Sequence, residues 1–365
     1  MSGDEALAKL RLARTDGVGP KTFRRLLERH GSAHAALRAL PDLSARRATP
    51  FLPPLPSAAE KEFREISEMG GSFLFFGAPD YPPMLAQLED APSALAVVGD
   101  TQLLAKPQIA VVGARNASAL GRRVAMELSN SLVQAGFVVT SGLARGIDGA
   151  AHAGALRSGS TIAIVPGGLD RAYPPEHAEL QSSIAERGAV VAEAPLGTAP
   201  LARHFPKRNR IIAGLSLGVV VIEAGLHSGT LMTARLALEA GREIFAVPGS
   251  PLDPRCTGSN DLIRQGAYLT ESVADILDHL PQYLPSNPAS RQAASPVRPT
   301  DGDSVSGTDT DKVLSLVGAS PVTVDEVMRH CHLSAAAVQA ILLDLELDGR
   351  IDTLPGNRVI RSGSR

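Results

Sequence analysis

The sequence predicts an α/β protein: an extended parallel sheet covered on both faces, with a helical module before it and a small module of helices and a β-wing after it. Three observations predict it. Six short β-branched runs, "QIAVVGAR" (108–115), "FVVTSGLA" (137–144), "STIAIVPGG" (160–168), "AVVAEAP" (189–195), "GVVVIEAG" (218–225) and "EIFAVPGS" (243–250), alternate with helical stretches such as "LGRRVAMELSNSLVQAG" and "GTLMTARLALEAG". These runs are apolar throughout, which suits parallel strands buried on both faces. Residues 281–310 carry five prolines, many Ser and Thr and almost no large apolar side chain, so a flexible linker is expected there with a folded module beyond it.

Taken in order, residues 1–48 read as short helices with apolar Leu10, Leu12, Phe23, Leu26, Leu27, Leu37 and Leu40. "TPFLPPLP" (49–56) interrupts the pattern, a further amphipathic helix covers Ala58–Met69, and the pair of glycines at 70 and 71 ends it. The expected units are therefore 1–70, 71–280, the linker 281–310, and 311–365. Within the first, "LARTDGVGPKTFRRLLERHGS" (12–32) places Gly17-Val18-Gly19 before a basic amphipathic helix. This is similar to a SAM/helix–hairpin–helix-like domain, whose glycine turn offers amides to a duplex DNA phosphate; a helical interaction domain that touches no DNA fits the same residues. The middle unit reads as a Rossmann-like domain, whose ligands bind beyond the C-terminal strand ends. The last unit reads as a winged helix, with Thr323 capping its second helix and Ser334 its third. That third helix carries Asp344, Glu346 and Asp348 and no Lys or Arg before Arg350, so a protein-binding or regulatory role suits it better than DNA reading.

Composition narrows the function. The 365 residues carry a formal net charge of −2, only 4% are aromatic and none is Trp, which argues against many stacking platforms. Cys256 and Cys331 lie far apart without metal-ligand spacing and are expected to be reduced thiols. "MSGDEALAKLRLAR" lacks the apolar core of a signal peptide, and no apolar run is long enough to span a bilayer. A soluble cytoplasmic protein without a metal or cofactor is expected.

The chemistry-bearing loops all fall at strand ends. In "VVGARNAS" the amides after Gly113 and the fork of Arg115 suit a phosphate, although an ordinary βα turn explains the glycine equally. Arg115 stands where a dinucleotide fingerprint needs its second glycine, so NAD is not expected. "SGLARGIDGAAH" (141–152) offers Arg145 as a phosphate contact, with Asp148 either accepting nearby amides or orienting Arg145. "PGGLDRAYPPEH" (166–177) partly resembles the loop of nucleotide-hydrolysing Rossmann enzymes, but after three residues it continues with Leu169-Asp170-Arg171. Glu193 and Glu223, at strand ends, suit either an acid–base pair or ordinary capping carboxylates. Neither the serines nor the histidines have catalytic spacing, so no enzyme is expected.

The densest signal is "HFPKRNRIIAGLS" (204–216). Lys207, Arg208 and Arg210 stand together there, with Arg203 just upstream and no acid before Ser216, feeding the expected helix "RNRIIAGLS" and its apolar run. A polyanion needs such forks, and Phe205 offers a face for one base, worth on the order of 1–3 kcal/mol. The competing reading pairs Arg208 or Arg210 with Glu193 or Glu223.

"YPPMLAQLEDAPSALAVVGD", "VVGAR", "SGLARGIDGAAH", "PGGLDRAYP", "HFPKRNRIIAGLS", "VVVIEAGLHSGTLMTARLALEAGREIFAVPG" and "GSNDLIRQGA", in that order, resemble the DNA-processing protein A family (DprA/Smf) across the whole Rossmann-like domain. The resemblance implies a single-stranded DNA-binding protein that protects incoming strands, helps load the RecA recombinase in natural transformation and recombination, and forms a homodimer through the Rossmann-like domain. It also implies a pocket built from Gly113, Arg115, Phe205, Lys207, Arg208, Asn209 and Arg210. Two departures stand out: Ala114 where the family more often has Ser, and Pro175 where a lysine often follows the Tyr-Pro, with Arg171 a candidate substitute. The alternatives are a nucleotide or ribosyl hydrolase using Glu193 or Glu223, and a protein scaffold whose basic stretch meets acidic partners.

Overall fold

The computed structural model describes residues 3–44, 50–280, 307–318, 320–331, 333, 335–348, 350–354 and 358–362. The expected linker, up to residue 306, and the Ser334 cap lie outside the described residues. Two compact units emerge, Met1–Pro285 and Ser286–Arg365.

The first unit opens with four helices, α1 (Gly3–Ala13), α2 (Pro20–His30), α3 (Ala33–Ser44) and α4 (Pro56–Glu68). Gly17 sits at φ +83 in the turn before α2, a conformation that a Cβ disfavours, and Pro20 starts the helix where its missing N–H costs nothing. Leu12, Phe23, Leu26, Ala36 and Leu40 close a small core of their own, while Leu10, Ala59 and Ile66 pack onto Phe73 and Phe75 of the sheet. Polar contacts reinforce that join: Arg14 donates to the Glu193 carbonyl at 2.8 Å, and the Arg24 guanidinium lies 3.9 Å over the Phe76 ring.

The sheet then builds as β1 (Gly71–Phe75), α5 (Pro83–Ala86), β2 (Ala94–Gly99), β3 (Gln108–Gly113), α6 (Ala119–Gln134), β4 (Val138–Ser141), α7 (Ile147–Ala155), β5 (Thr161–Val165), α8 (Ala178–Arg187) and β6 (Ala189–Ala192). It continues with α9 (His204–Leu215), β7 (Gly218–Ile222), α10 (Gly229–Glu239), β8 (Glu243–Ala246), α11 (Thr257–Arg264), β9 (Tyr268–Leu269) and α12 (Val273–Leu277). All six expected strands form, and β3 to β7 are buried on both faces: they share one apolar layer, while the other face packs into a second layer at β3, β4 and β7 and into the layer holding Leu10, Ala59 and Ile66 at β5 and β6. The nine strands run in the order β1-β2-β6-β5-β4-β3-β7-β8-β9. The sheet is not wholly parallel: β1 and β2 add an antiparallel margin beside β6, where no crossover helix is required.

One boundary differs from the sequence reading. The helix α9 starts earlier than expected, at His204, so Lys207, Arg208 and Arg210 all lie in its first turns and Arg203 alone precedes it. Pro206 is tolerated there because a first-turn N–H has no helical partner.

The second unit comprises α13 (Gly307–Leu316), β10 (Val322–Thr323), α14 (Val324–Cys331), α15 (Ala335–Leu347), β11 (Ile351–Leu354) and β12 (Arg358–Arg361), a winged helix around Val313, Val327, Ile341 and Leu345. Thr323 Oγ1 accepts from the Glu326 amide at 3.3 Å, the expected cap. Asp344, Glu346 and Asp348 are exposed. No described helix is long and apolar enough to cross a membrane.

Candidate nucleic-acid interface

The strand order reverses at β3. From it the chain steps outward through β4, β5 and β6, then returns to lay β7 on its other side. The loops after β3 and β7 therefore diverge at their C-terminal ends, which opens a crevice where α/β sheets bind ligands. A groove of about 350 Å³ occupies that place, floored by Gly113 and Thr233 and walled by Arg115, Phe205, Arg208 and the turn Ser228–Thr230.

Close approach explains its glycines. A Cβ on Gly113 would collide with the Ile222 carbonyl and the Ile147 side chain, and one on Gly142 would fall onto the Arg208 guanidinium. Arg208 passes over Gly142 to reach Asp148, with Nη1 and Oδ2 3.7 Å apart and both side chains buried. The Ala144 amide donates to the same carboxylate at 3.4 Å. Burial pushes the Asp148 carboxyl above its ordinary range, and the Arg208 charge opposes that shift. Burial likewise pushes Arg208 down, with Asp148 opposing it. Each ion is thus the other's compensation in a place almost closed to water.

The two loops of the crevice are fastened to each other. Glu223, buried just after β7, accepts from the Ser118 amide at 2.8 Å and from the Ser118 hydroxyl. Thr230 Oγ1 donates to the Gly113 carbonyl at 3.0 Å. Glu223 and Leu143 hold φ near +50° and +55°, an unfavourable conformation for non-glycine residues and both times at a strand end facing the crevice.

Above this frame, the Arg115 guanidinium lies 4.7 Å over the Phe205 ring, and the Tyr173 ring meets Phe205 edge-on at 5.7 Å. Phe205 is therefore not an open platform: Arg115 covers one face, so a stacking base has to take the place of that cation. Asn209 is buried, and its amide nitrogen lies 3.5 Å from the Gly229 carbonyl.

Gly113, Arg115, Phe205, Arg208 and Asn209 thus meet around one groove. Arg145 lies next door, lining a cavity of about 340 Å³ with Arg115 and Tyr173, and it is paired with Glu176 rather than oriented by Asp148. Lys207 faces the other side of α9, because adjacent helical residues are rotated by about 100°. Arg210 is engaged by Glu193 at 2.5 Å and by Asp90, as the competing reading of the basic stretch had it, whereas Arg208 takes Asp148 and neither glutamate. Arg171 pairs with Asp170, and neither Arg171 nor Arg203 lines any of these cavities. Sequence reasoning missed Asp148 as the partner of Arg208, Glu223 as a loop clasp, and Tyr173. Ser228–Thr230 carried a visible signal, a cap-type Ser-Gly-Thr at a strand end.

Comparison with known proteins places this architecture. Residues 72–281 match the family described as DNA recombination-mediator protein A. The chain belongs to that family. Its flanks agree, with a DprA-like N-terminal HHH domain over residues 3–64 and a DprA winged helix domain over residues 292–357. Among relatives, protein Smf of Escherichia coli K12 is 43% identical over 284 residues, which is 76% of this chain and 74% of that protein. DNA processing protein DprA of Bacillus subtilis is 41% identical over 234 residues, 64% of this chain and 77% of that protein. Among solved structures, DNA processing protein A from Streptococcus pneumoniae has a TM-score of 0.64 at 33% identity, covering 76% of this chain and 98% of that one. DNA processing protein A from Helicobacter pylori, described for its single-stranded DNA binding mode, has a TM-score of 0.53 at 30% identity over 59% of this chain and 97% of that one.

Proposed function

We propose that this member of the DNA recombination-mediator protein A family binds single-stranded DNA in the crevice at the β3–β7 switch point, without chemical turnover. The observation that carries the reading is the exposed Arg115 fork held over Phe205 above a groove whose deeper cation, Arg208, is already compensated. Such a site suits a phosphodiester and an unstacked base, and few of its groups are placed to read base identity. The resemblance to the Helicobacter pylori protein supports the single-stranded preference. In this reading the protein protects incoming strands in the cytoplasm, helps load RecA during natural transformation and recombination, and acts as a homodimer through the Rossmann-like domain. The winged helix, with its exposed acids on α15, meets protein rather than DNA.

The hydrolase alternative fits less well, because Glu223 is spent on Ser118 and Glu193 on Arg210. Fluorescence anisotropy with labelled single-stranded and duplex oligonucleotides across a salt series tests the proposal. Preference for the single strand, weakened by Arg115→Ala with a shallower salt slope, is expected. Equal binding by wild type and Arg115→Ala would move the site elsewhere, and release of base or phosphate dependent on Glu223 would revive the enzyme.

A further inference from the structure

The far side of α9 holds a second cleft, of about 380 Å³, between the core and the N-terminal helices. Its core wall carries His204, Lys207 and Arg208, and its opposite wall is the glycine turn Gly17-Val18-Gly19 at the start of α2. We propose that this cleft is a second phosphate subsite for the same single strand, so that the N-terminal turn extends the groove instead of seizing a separate duplex. The inference rests on the single-strand reading given above.

Three observations carry it. Arg208 lines both cavities, so the two are neighbours across one side chain. Arg208 is only 6% exposed, and its Nε has no hydrogen-bond partner among the described residues although Nη1 faces Asp148. A buried donor left open at the wall between two clefts marks a place for an acceptor oxygen. Across the cleft, no side chain caps α2: its N-cap is Gly19 in extended backbone, Pro20 has no N–H, and the Lys21 and Thr22 amides, with their partial positive charge, are left without a side-chain cap for an incoming anion. Lys207, exposed on the core wall, supplies full charge. The cleft also has acids. Glu193 is neutralised by Arg210, and Asp16 is exposed at the rim beside the turn. A strand therefore passes Asp16 on its way to the amides, and removal of that charge favours binding.

Gly19→Asp separates fold from function. A Cβ at Gly19 meets nothing within 4 Å and the backbone there is extended, so Asp is accommodated and caps α2 while placing a carboxylate on the proposed phosphate position. Gly19→Asn caps equally without the charge. The full-length protein is titrated with oligo-dT graded from about 4 to about 16 nucleotides, together with a duplex of the longest length. Wild type is expected to gain affinity once the strand is long enough to reach the turn. Gly19→Asp is expected to match wild type on the shortest strand, to bind the longest about three- to fivefold more weakly, and to lose roughly 0.7 from the salt slope. Gly19→Asn should fall between them, and Asp16→Asn should bind the longest strand more tightly than wild type.

Equal binding by Gly19→Asp and wild type at every length overturns the subsite. So does a loss confined to the duplex, which would assign the turn to double-stranded DNA, and so does an equal loss at every length. If wild type fails to bind any single strand, or Arg115→Ala leaves binding unchanged, the underlying groove reading fails first and the subsite with it.

Discussion

Arg208 and Asp148 form an ion pair beneath the groove, 3.7 Å apart, each side chain about 95% removed from solvent, and Gly142 leaves the room through which they meet. Any part the pair takes in binding is therefore inseparable from its part in folding.

Breaking this pair is expected to be expensive. Asp148→Ala leaves a buried guanidinium without its counter-charge and should cost about 3–5 kcal/mol. Gly142→Ala, which forces the guanidinium aside, should cost about 1–3 kcal/mol by overpacking. Arg115→Ala, on an exposed loop, should change stability by less than about 0.5 kcal/mol. Chemical denaturation of the three variants checks the ranking, and a stable Asp148→Ala protein would contradict it.

Glu223 is expected to influence DNA binding only through the loop it clasps. Glu223→Ala removes both bonds to Ser118, and hydrogen bonds to a charged group are worth about 1.5–3 kcal/mol, so single-strand affinity should fall about tenfold. No phosphate contact is lost, so the salt slope should stay that of wild type. A changed slope would mean that Glu223 influences the strand's charge directly.

Arg210 gives the opposite expectation to its neighbours. Held by Glu193 and Asp90, it has little to offer a strand. Arg210→Ala should keep single-strand affinity within about twofold and the salt slope unchanged, while Lys207→Ala should lower that slope by roughly 0.7. Parallel salt titrations decide between them.

His152 makes the fold sensitive to acid. Its Nδ1 meets Thr161 Oγ1 at 2.9 Å and its Nε2 accepts from the Leu143 amide at 3.3 Å, an arrangement only the neutral ring satisfies. Burial, with smaller contributions from His177 and Arg208, pushes its pKa from 6.5 down to about 3. A depressed histidine means that the unfolded chain binds the extra proton first. This contribution to stability is therefore complete above the unfolded value and drains away as pH falls toward the folded one. Wild type should lose about 1 kcal/mol more than His152→Gln between pH 7 and pH 5.5. Identical losses in both proteins would exclude this origin.

Much of this was legible in the chain. Strands β3 to β7 announce themselves because burial on both faces makes them apolar without alternation, and the groove's loops follow from where those strands stop. Gly113 and Arg115 were visible for the same reason, Phe205 as the one phenyl ring in the basic stretch, and Asn209 only through the family resemblance. The pairing of the cations was not. Arg208 and Arg210 are two residues apart and both basic, yet one reaches Asp148 and the other Glu193, and only the packing of α9 against the sheet chooses. The helical start at His204 was hidden by Pro206, which reads as a breaker until it is seen to occupy a first turn. The antiparallel pair β1 and β2 lacks the strand–helix alternation that marks the others, because antiparallel margin strands need no crossover helix to punctuate them.

Glu193 ties two modules together. Its carboxylate holds Arg210 of α9, and its own backbone carbonyl accepts from Arg14 of α1 at 2.8 Å. One residue thus joins the groove's helix to the N-terminal helices, so whatever steadies α9 also steadies α1. Thermodynamic reciprocity then sets an expectation: a ligand whose affinity for the N-terminal helices changes when a strand fills the groove should change the groove's affinity for that strand by the same factor, and slower hydrogen exchange around Arg14 on adding DNA would reveal the link.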